Sequence, residues 1–236
     1  MPIFITCDID WASEEVLADT FAIFEQYNVK CTLFATHDSE VVKNCNKNIF
    51  EVAIHPNFNP LLEGKSTVSA NEVIDKLLEI YPTAKGVRSH GLVQSSRLLS
   101  LYKQKSILYE CDHFCPYQKI EPYALWNGLL RIPYNWEDDI HYLHEKDFGA
   151  LGVNLLSDDL LIFDFHPIHI FLNTDCEATY LQAKPYYHDY KHLKEYRNTQ
   201  KKGVRDALIT ILEYLKENQT RTTTLSEFYY QFSTKA

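Results

Sequence analysis

Short runs of β-branched and aromatic residues alternate along the chain with stretches whose apolar positions share one helical face. Residues 3–9, 29–35 and 50–54 are such runs, and each reads as a strand. Between the first two, Ser13 stands as an N-cap and Glu14 and Glu15 suit the positive end of a helix. Leu17, Phe21 and Phe24 then fall on one side of it. The spacing of Val73, Leu77 and Ile80 predicts a helix over 71–81, which Pro82 ends. Further on, 86–88, 106–110, 129–133 and 160–165 read as strands and 95–103 as a helix. After Gly203, the positions Val204, Leu208, Ile211, Leu212 and Leu215 form the apolar stripe of another helix. This alternation predicts an α/β fold with a mostly parallel sheet, either a barrel or a doubly wound sheet. No repeat, low-complexity tract or Pro/Gly-rich linker interrupts it, so 1–236 reads as one domain. Residues 174–202, rich in tyrosine and charge, give no clear pattern.

Composition narrows the function. Against 32 Asp and Glu stand 23 Lys and Arg, a net charge of −9, which argues against a broad nucleic-acid or anionic-membrane surface. None of the seven glycines makes a dinucleotide or P-loop phosphate motif. The longest apolar stretch, 160–172, is broken by Asp164 and two histidines and is too short to span a bilayer. The first residues hold no basic region and meet an aspartate at position 8, so no signal peptide is expected. The six cysteines are unpatterned and are expected to be reduced thiols in a cytoplasmic protein.

The chemistry gathers at strand ends. Asp8 and Asp10 close the first strand, His55 follows the third, and Arg88 and His90 follow Gly86. Trp136, Glu137, Asp138 and Asp139 come after the 129–133 strand, and His166 closes the last. In parallel α/β architectures these ends share one face, where ligands and catalytic groups collect. Carboxylates and imidazoles on one rim fit metal-assisted hydrolysis, with zinc-type ligands and a second carboxylate as proton acceptor. Asp8 and Asp10, alternating on one strand, are expected to point the same way and divide these roles, with Arg88 pairing one of them. His166 is placed across the site as general acid.

The order of these segments resembles the polysaccharide deacetylases, carbohydrate esterase family 4 of the NodB-homology group, and most closely its WbmS-like branch. The residues are Thr6-Cys7-Asp8-Ile9-Asp10, His55 to Asn59, Arg88-Ser89-His90, Pro133 to Asp139, and Phe163-Asp164-Phe165-His166-Pro167. They match the family's five motifs in order over roughly residues 3–172, with one residue inserted between the aspartates. The resemblance implies a distorted, seven-stranded (β/α) barrel. It implies Asp8 as base, Asp10 and His55 as ligands of one divalent ion, foremost zinc, His166 as acid, and Arg88 orienting Asp8. Asn59 stands where the family has a second histidine, so His90 is expected to complete the metal site, ahead of Asn59. Trp136 and Asp138 are expected to meet substrate. The implied activity is removal of an N-acetyl group from an amino sugar, nucleotide sugar or glycan intermediate. Two rivals remain open: hydrolysis of another non-peptide C–N bond, and a silent carbohydrate-binding barrel.

Overall fold

The computed structural model describes residues 3–151, 160–220 and 222–233. Among them lie nine strands: β1 (Ile3–Asp8), β2 (Cys31–Ala35), β3 (Phe50–Ile54), β4 (Gly86–Val87), β5 (Tyr109–Glu110), β6 (Tyr123–Ala124), β7 (Leu130–Arg131), β8 (Trp136–Glu137) and β9 (Leu161–Phe165). They form one sheet in the order β6-β7-β5-β4-β3-β2-β1-β9-β8, parallel throughout except for the β6–β7 pair. The two ends of that order meet in the chain. β7 pairs with β5, and only a few residues later β8 pairs with β9, so residues 130–137 carry the sheet across its own seam. Backbone bonds from Ile132 N to Glu110 O and from Asn135 N to Ile162 O hold both sides of it. Taken as one stave, β7 and β8 join β1, β2, β3, β4, β5 and β9 in the expected seven-stave barrel.

Alternation along the strands sorts side chains into two buried layers. Ile5, Cys7, Leu33, Val52 and Phe163 pack outward under the helices. Phe4, Phe34, Ala53, Ile132 and Ile162 form the second cluster, inside the ring. Helix Leu225–Ser233, which the sequence reading missed, seals its lower end. Leu225 N–H donates to Thr32 Oγ1 and Ser226 N–H to Glu51 Oε2 at 3.0 and 2.9 Å, while Leu225 and Phe228 pack against the interior cluster. Tyr109 fills the interior because Gly86 faces it without a side chain: a Cβ there would lie 2.0 Å from the Tyr109 ring.

The predicted helices are present with small shifts, at Glu14–Tyr27, Ala70–Ile80, Ser96–Gln104 and Val204–Glu217. Ser13 occupies the N-cap position of the first, but its hydroxyl makes no capping bond. Ser69 and Glu72 form a full capping box on the second, starting it one residue earlier than the spacing predicts. Short helices at Asp138–Leu143 and Pro167–Leu172 follow β8 and β9 directly and carry site residues. All six cysteines are free thiols.

Candidate active site and metal centre

At the upper end of the ring the interior changes from apolar to charged. Along β1 the inward positions run Phe4, Thr6, Asp8, and along β9 they run Ile162, Asp164, His166. The parallel register sets Thr6 beside Asp164, and the Thr6 hydroxyl donates to Asp164 Oδ1 at 2.5 Å. Arg88, fully buried, sits between the two carboxylates. Its Nη1 donates to Asp8 Oδ1 at 2.8 Å and to Asp164, and its Nη2 to Thr6 Oγ1 at 3.1 Å. The guanidinium is stacked between the rings of Phe34 and Tyr134, 4.3 and 4.1 Å from their centroids, so its weakly hydrated faces lose little on burial. Burial opposes the Arg88 charge, but Asp164 and Asp8 outweigh it. Burial also pushes the Asp164 carboxyl up to about 7, against the pull of Arg88. The geometry matches the expected pairing of Arg88 with Asp8.

Asp10 does not alternate with Asp8 on one strand, which corrects the sequence expectation. β1 ends at Asp8, and the inserted residue sends Asp10 and Trp11 into a turn with φ of 35° and 56°. The turn still returns the Asp10 carboxylate to the rim. Its Oδ1 lies 3.4 Å from His55 Nε2 and 3.2 Å from His90 Nδ1, and its Oδ2 lies 3.7 Å from His166 Nε2. Burial alone would raise the Asp10 pKa; hydrogen bonds from His55 and His90 and the charge of His166 instead hold it well below the usual carboxylate range. His55 is buried, its other nitrogen lacks a partner, and Asp8 and Asp10 raise its pKa against the effect of burial.

Asp10, His55 and His90 thus present one oxygen and two nitrogens within 4.8 Å of one another. Two imidazoles aimed at one carboxylate oxygen are a donor set for zinc or a related first-row ion. The 3.2 and 3.4 Å separations also suit it, since tetrahedral bonds of about 2.1 Å place neighbouring ligands about 3.4 Å apart. Asn59, the second candidate for the third ligand, opens helix Asn59–Leu62, and its amide lies against Gly91.

His166 follows β9 and is anchored by Asp138. Asp138 Oδ2 accepts the His166 backbone N–H and Oδ1 meets Nδ1, both at 2.7 Å. Burial works against a charged His166, but the Asp138 carboxylate holds its pKa well above the usual imidazole value. Asp138 is therefore not at the substrate surface; it is fully buried behind the histidine. Trp136 is likewise turned into the core, with its ring against Phe163 and Phe165 and its Nε1 donating to His141 at 3.0 Å. Trp136 follows from β8 alternation, since it faces away from the cleft once Glu137 faces it, and Asp138, which opens the next helix, is held behind His166 by the two bonds above.

Asp8, Asp10, His55, His90 and His166 line one cleft of about 150 Å³, together with Tyr134, Glu137 and Asp139. A larger cavity of about 630 Å³ lies apart, between helices Ala70–Ile80 and Ser96–Gln104, and includes none of these groups. Glu137 keeps its proton more tightly than an ordinary carboxyl, because it is buried and faces Asp139. Tyr134, whose hydroxyl donates to Glu137 at 3.0 Å, was missed in the sequence, as was the role of Asp164. An aspartate in mid-strand between two phenylalanines was the available signal for Asp164. Tyr187, whose hydroxyl donates to the Asp10 carbonyl at 2.5 Å, carried no readable signal.

The family model of WbmS-like polysaccharide deacetylases matches residues 5–184. Among solved structures, a protein of Bordetella bronchiseptica described as a polysaccharide deacetylase involved in O-antigen biosynthesis is 34% identical. It covers 90% of each chain with a TM-score of 0.83. The peptidoglycan deacetylase PdaC of Bacillus subtilis, at 14% identity, covers 99% of this chain and 92% of its own, with a TM-score of 0.54, and shares the fold. A carbohydrate esterase family 4 pseudoenzyme of Bacillus anthracis shares it too, at 14% identity, 97% and 65% coverage and a TM-score of 0.52. No match is found among curated proteins. With three-quarters of its length matched by one family model and a third of its residues shared with a solved relative, the chain belongs to the WbmS-like polysaccharide deacetylases.

Proposed function

We propose that the protein is a divalent-metal-dependent hydrolase that removes an N-acyl group, acetyl foremost, from an amino sugar. The substrate would be a soluble sugar, a nucleotide sugar or a glycan intermediate in the cytoplasm. The observation that carries this reading is the pairing of two anchored proton-transfer groups around the Asp10, His55 and His90 donors. Asp8 is fixed through one oxygen by Arg88, leaving Oδ2 on the donor side, 3.5 Å from His55. His166 is fixed through Nδ1 by Asp138, leaving Nε2 toward Asp10.

Asp10, His55 and His90 would hold the ion, which supplies Lewis-acid polarisation of the acyl carbonyl and a more acidic water. Asp8 accepts the proton of the attacking water. His166, charged because Asp138 backs it, gives its Nε2 proton to the departing nitrogen, so that a carboxylic acid and a free amine leave. Arg88 keeps Asp8 aimed, and its burial between Phe34 and Tyr134 keeps water from competing for the guanidinium. A cleft of about 150 Å³ has room for an acyl group and a water, so the sugar ring rests on the rim.

A second reading has its own support: Asn59 replaces the family's second histidine, and a silent barrel would tolerate that loss. The test is acetate release from N-acetylated mono- and oligosaccharides by zinc-loaded protein. Asp8→Asn and His166→Ala should each lower kcat by at least about a hundredfold, the lower bound for general acid–base groups, with zinc content unchanged. Wild-type protein that holds zinc and hydrolyses neither acetamido sugars nor simple amides would favour the silent barrel.

A further inference from the structure

Asp10 lies beyond the last ladder bond of β1, so the sheet does not fix it; the turn from Ile9 to Ala12 does. Ala12 N–H donates to Ile9 O at 2.8 Å and closes the turn, with Asp10 and Trp11 as its central residues. Positive φ at both central positions is the type I′ arrangement, natural for asparagine and glycine and strained for tryptophan. Rotating the single peptide plane between Asp10 and Trp11 converts type I′ to type II′, which needs a positive φ only at the first position. That rotation would release Trp11 and swing the Asp10 carbonyl. The carbonyl is the group that the Tyr187 hydroxyl holds, at 2.5 Å. Trp11 N–H, on the other side of the same plane, donates to Thr36 Oγ1 at 3.1 Å. Thr36 comes from the end of β2, whereas Tyr187 comes from a segment beyond the residues matched by the family model.

We propose that Tyr187 is a positioning residue that holds the strained Ile9–Ala12 turn in place through the Asp10 carbonyl, so that the turn keeps the Asp10 carboxylate at His55 and His90. The inserted residue between the two aspartates creates the need for the lock, and the 174–202 segment supplies it. The inference rests on the metal reading above. Hydrogen-bond partners behind metal ligands typically change affinity by about 10–100-fold when removed.

The experiment measures zinc affinity of the full chain by competition with a chromophoric chelator, which needs no substrate. Tyr187→Phe, which removes one oxygen, should weaken zinc binding by about 10–100-fold while thermal unfolding stays cooperative. Adding Trp11→Gly, which makes positive φ free of strain, should restore much of the loss, because the turn then needs no lock. A purely structural role for Tyr187 predicts no such rescue. Zinc affinity in Tyr187→Phe within about threefold of wild type overturns this proposal alone, as does a loss that Trp11→Gly leaves untouched. Wild-type protein that takes up no zinc overturns the metal reading and this proposal together. Should Tyr187→Phe fail to fold, the double variant decides: a folded, zinc-binding double variant supports the lock, and an unfolded one makes Tyr187 a packing residue.

Discussion

Replacing Asp138 with asparagine isolates the proton donor from the rest of the site. In the wild type both Asp138 oxygens accept from His166, one from the backbone N–H and one from Nδ1, each at 2.7 Å. An asparagine of the same shape keeps only one acceptor. If it stays on the backbone N–H, the amide NH₂ faces Nδ1, which then must accept, and the ring becomes neutral. A neutral imidazole is a far weaker acid than an imidazolium, so most of the donor's contribution disappears. General acids supply about 10²–10⁴-fold, so a hundredfold fall in kcat, about 2.7 kcal/mol in the barrier, is the minimum expected. KM and zinc content should stay near wild type, since Asp138 is fully buried behind His166 and is not one of the Asp10, His55 and His90 donors. The alkaline limb of the pH–rate profile should move to lower pH. Stability follows the same sign: a raised His166 pKa stabilises the fold below the ordinary imidazole value, and the gain fades as pH rises through the raised one. The stability difference between wild type and Asp138→Asn should therefore shrink in alkaline buffer. Acetate release and denaturant titrations across pH would read both effects. A loss in kcat below about threefold, with zinc retained, would refute His166 as the acid held charged by Asp138.

His55→Ala should abolish stoichiometric zinc in elemental analysis while circular dichroism stays near wild type. His90→Ala should weaken zinc binding far more than Asn59→Ala, whose amide lies against Gly91 instead of in the donor group. Gly86→Ala places a Cβ 2.0 Å from the Tyr109 ring and should cost about 1–3 kcal/mol in urea unfolding, with Tyr109→Leu recovering part of it. Burial and Glu110 push Asp112 up to about 7, so this carboxyl holds a proton in the fold that the unfolded chain gives up at lower pH. Stability of the metal-free protein should fall as pH rises from about 4 through 7, and Asp112→Asn should flatten that fall, as measured by the urea midpoint.

What was legible in the sequence was what a strand states locally. β1, β2, β3 and β9 are runs buried on both faces, so their apolar continuity marks them, and polar residues at their ends mark the rim. Strand direction and order are enough to bring Asp8, His55, Arg88, His90 and His166 to one rim. Illegible were the features set by partners distant in the chain. β8 is two residues long and recognisable only through β9, so the inward and outward sides of Trp136, Glu137 and Asp138 were not readable. The aromatic character of Trp136 suggests a cleft residue, and the pleat turns its ring into the core against Phe163 and Phe165 instead. Asp10 moved off the strand because one inserted residue exceeds what β1 can pair, and only Phe34, Thr36 and Tyr187 reveal where it goes. Helix Leu225–Ser233 is amphipathic, but its purpose depends on Thr32 and Glu51, far upstream.

That last contact bears on how the molecule is made. Leu225 reaches back 193 residues to Thr32, and Ser226 reaches 175 to Glu51. During synthesis the staves and every rim residue from Asp8 to His166 leave the ribosome before the helix that stoppers the tube. Until it arrives, Phe4, Phe34 and Tyr109 face an open lower end. Contacts this distant are slow to form, and a nascent tube with an unstoppered apolar bore is the species most exposed to aggregation. Trimming the chain before residue 224 should therefore harm yield and solubility more than the small area of one helix implies.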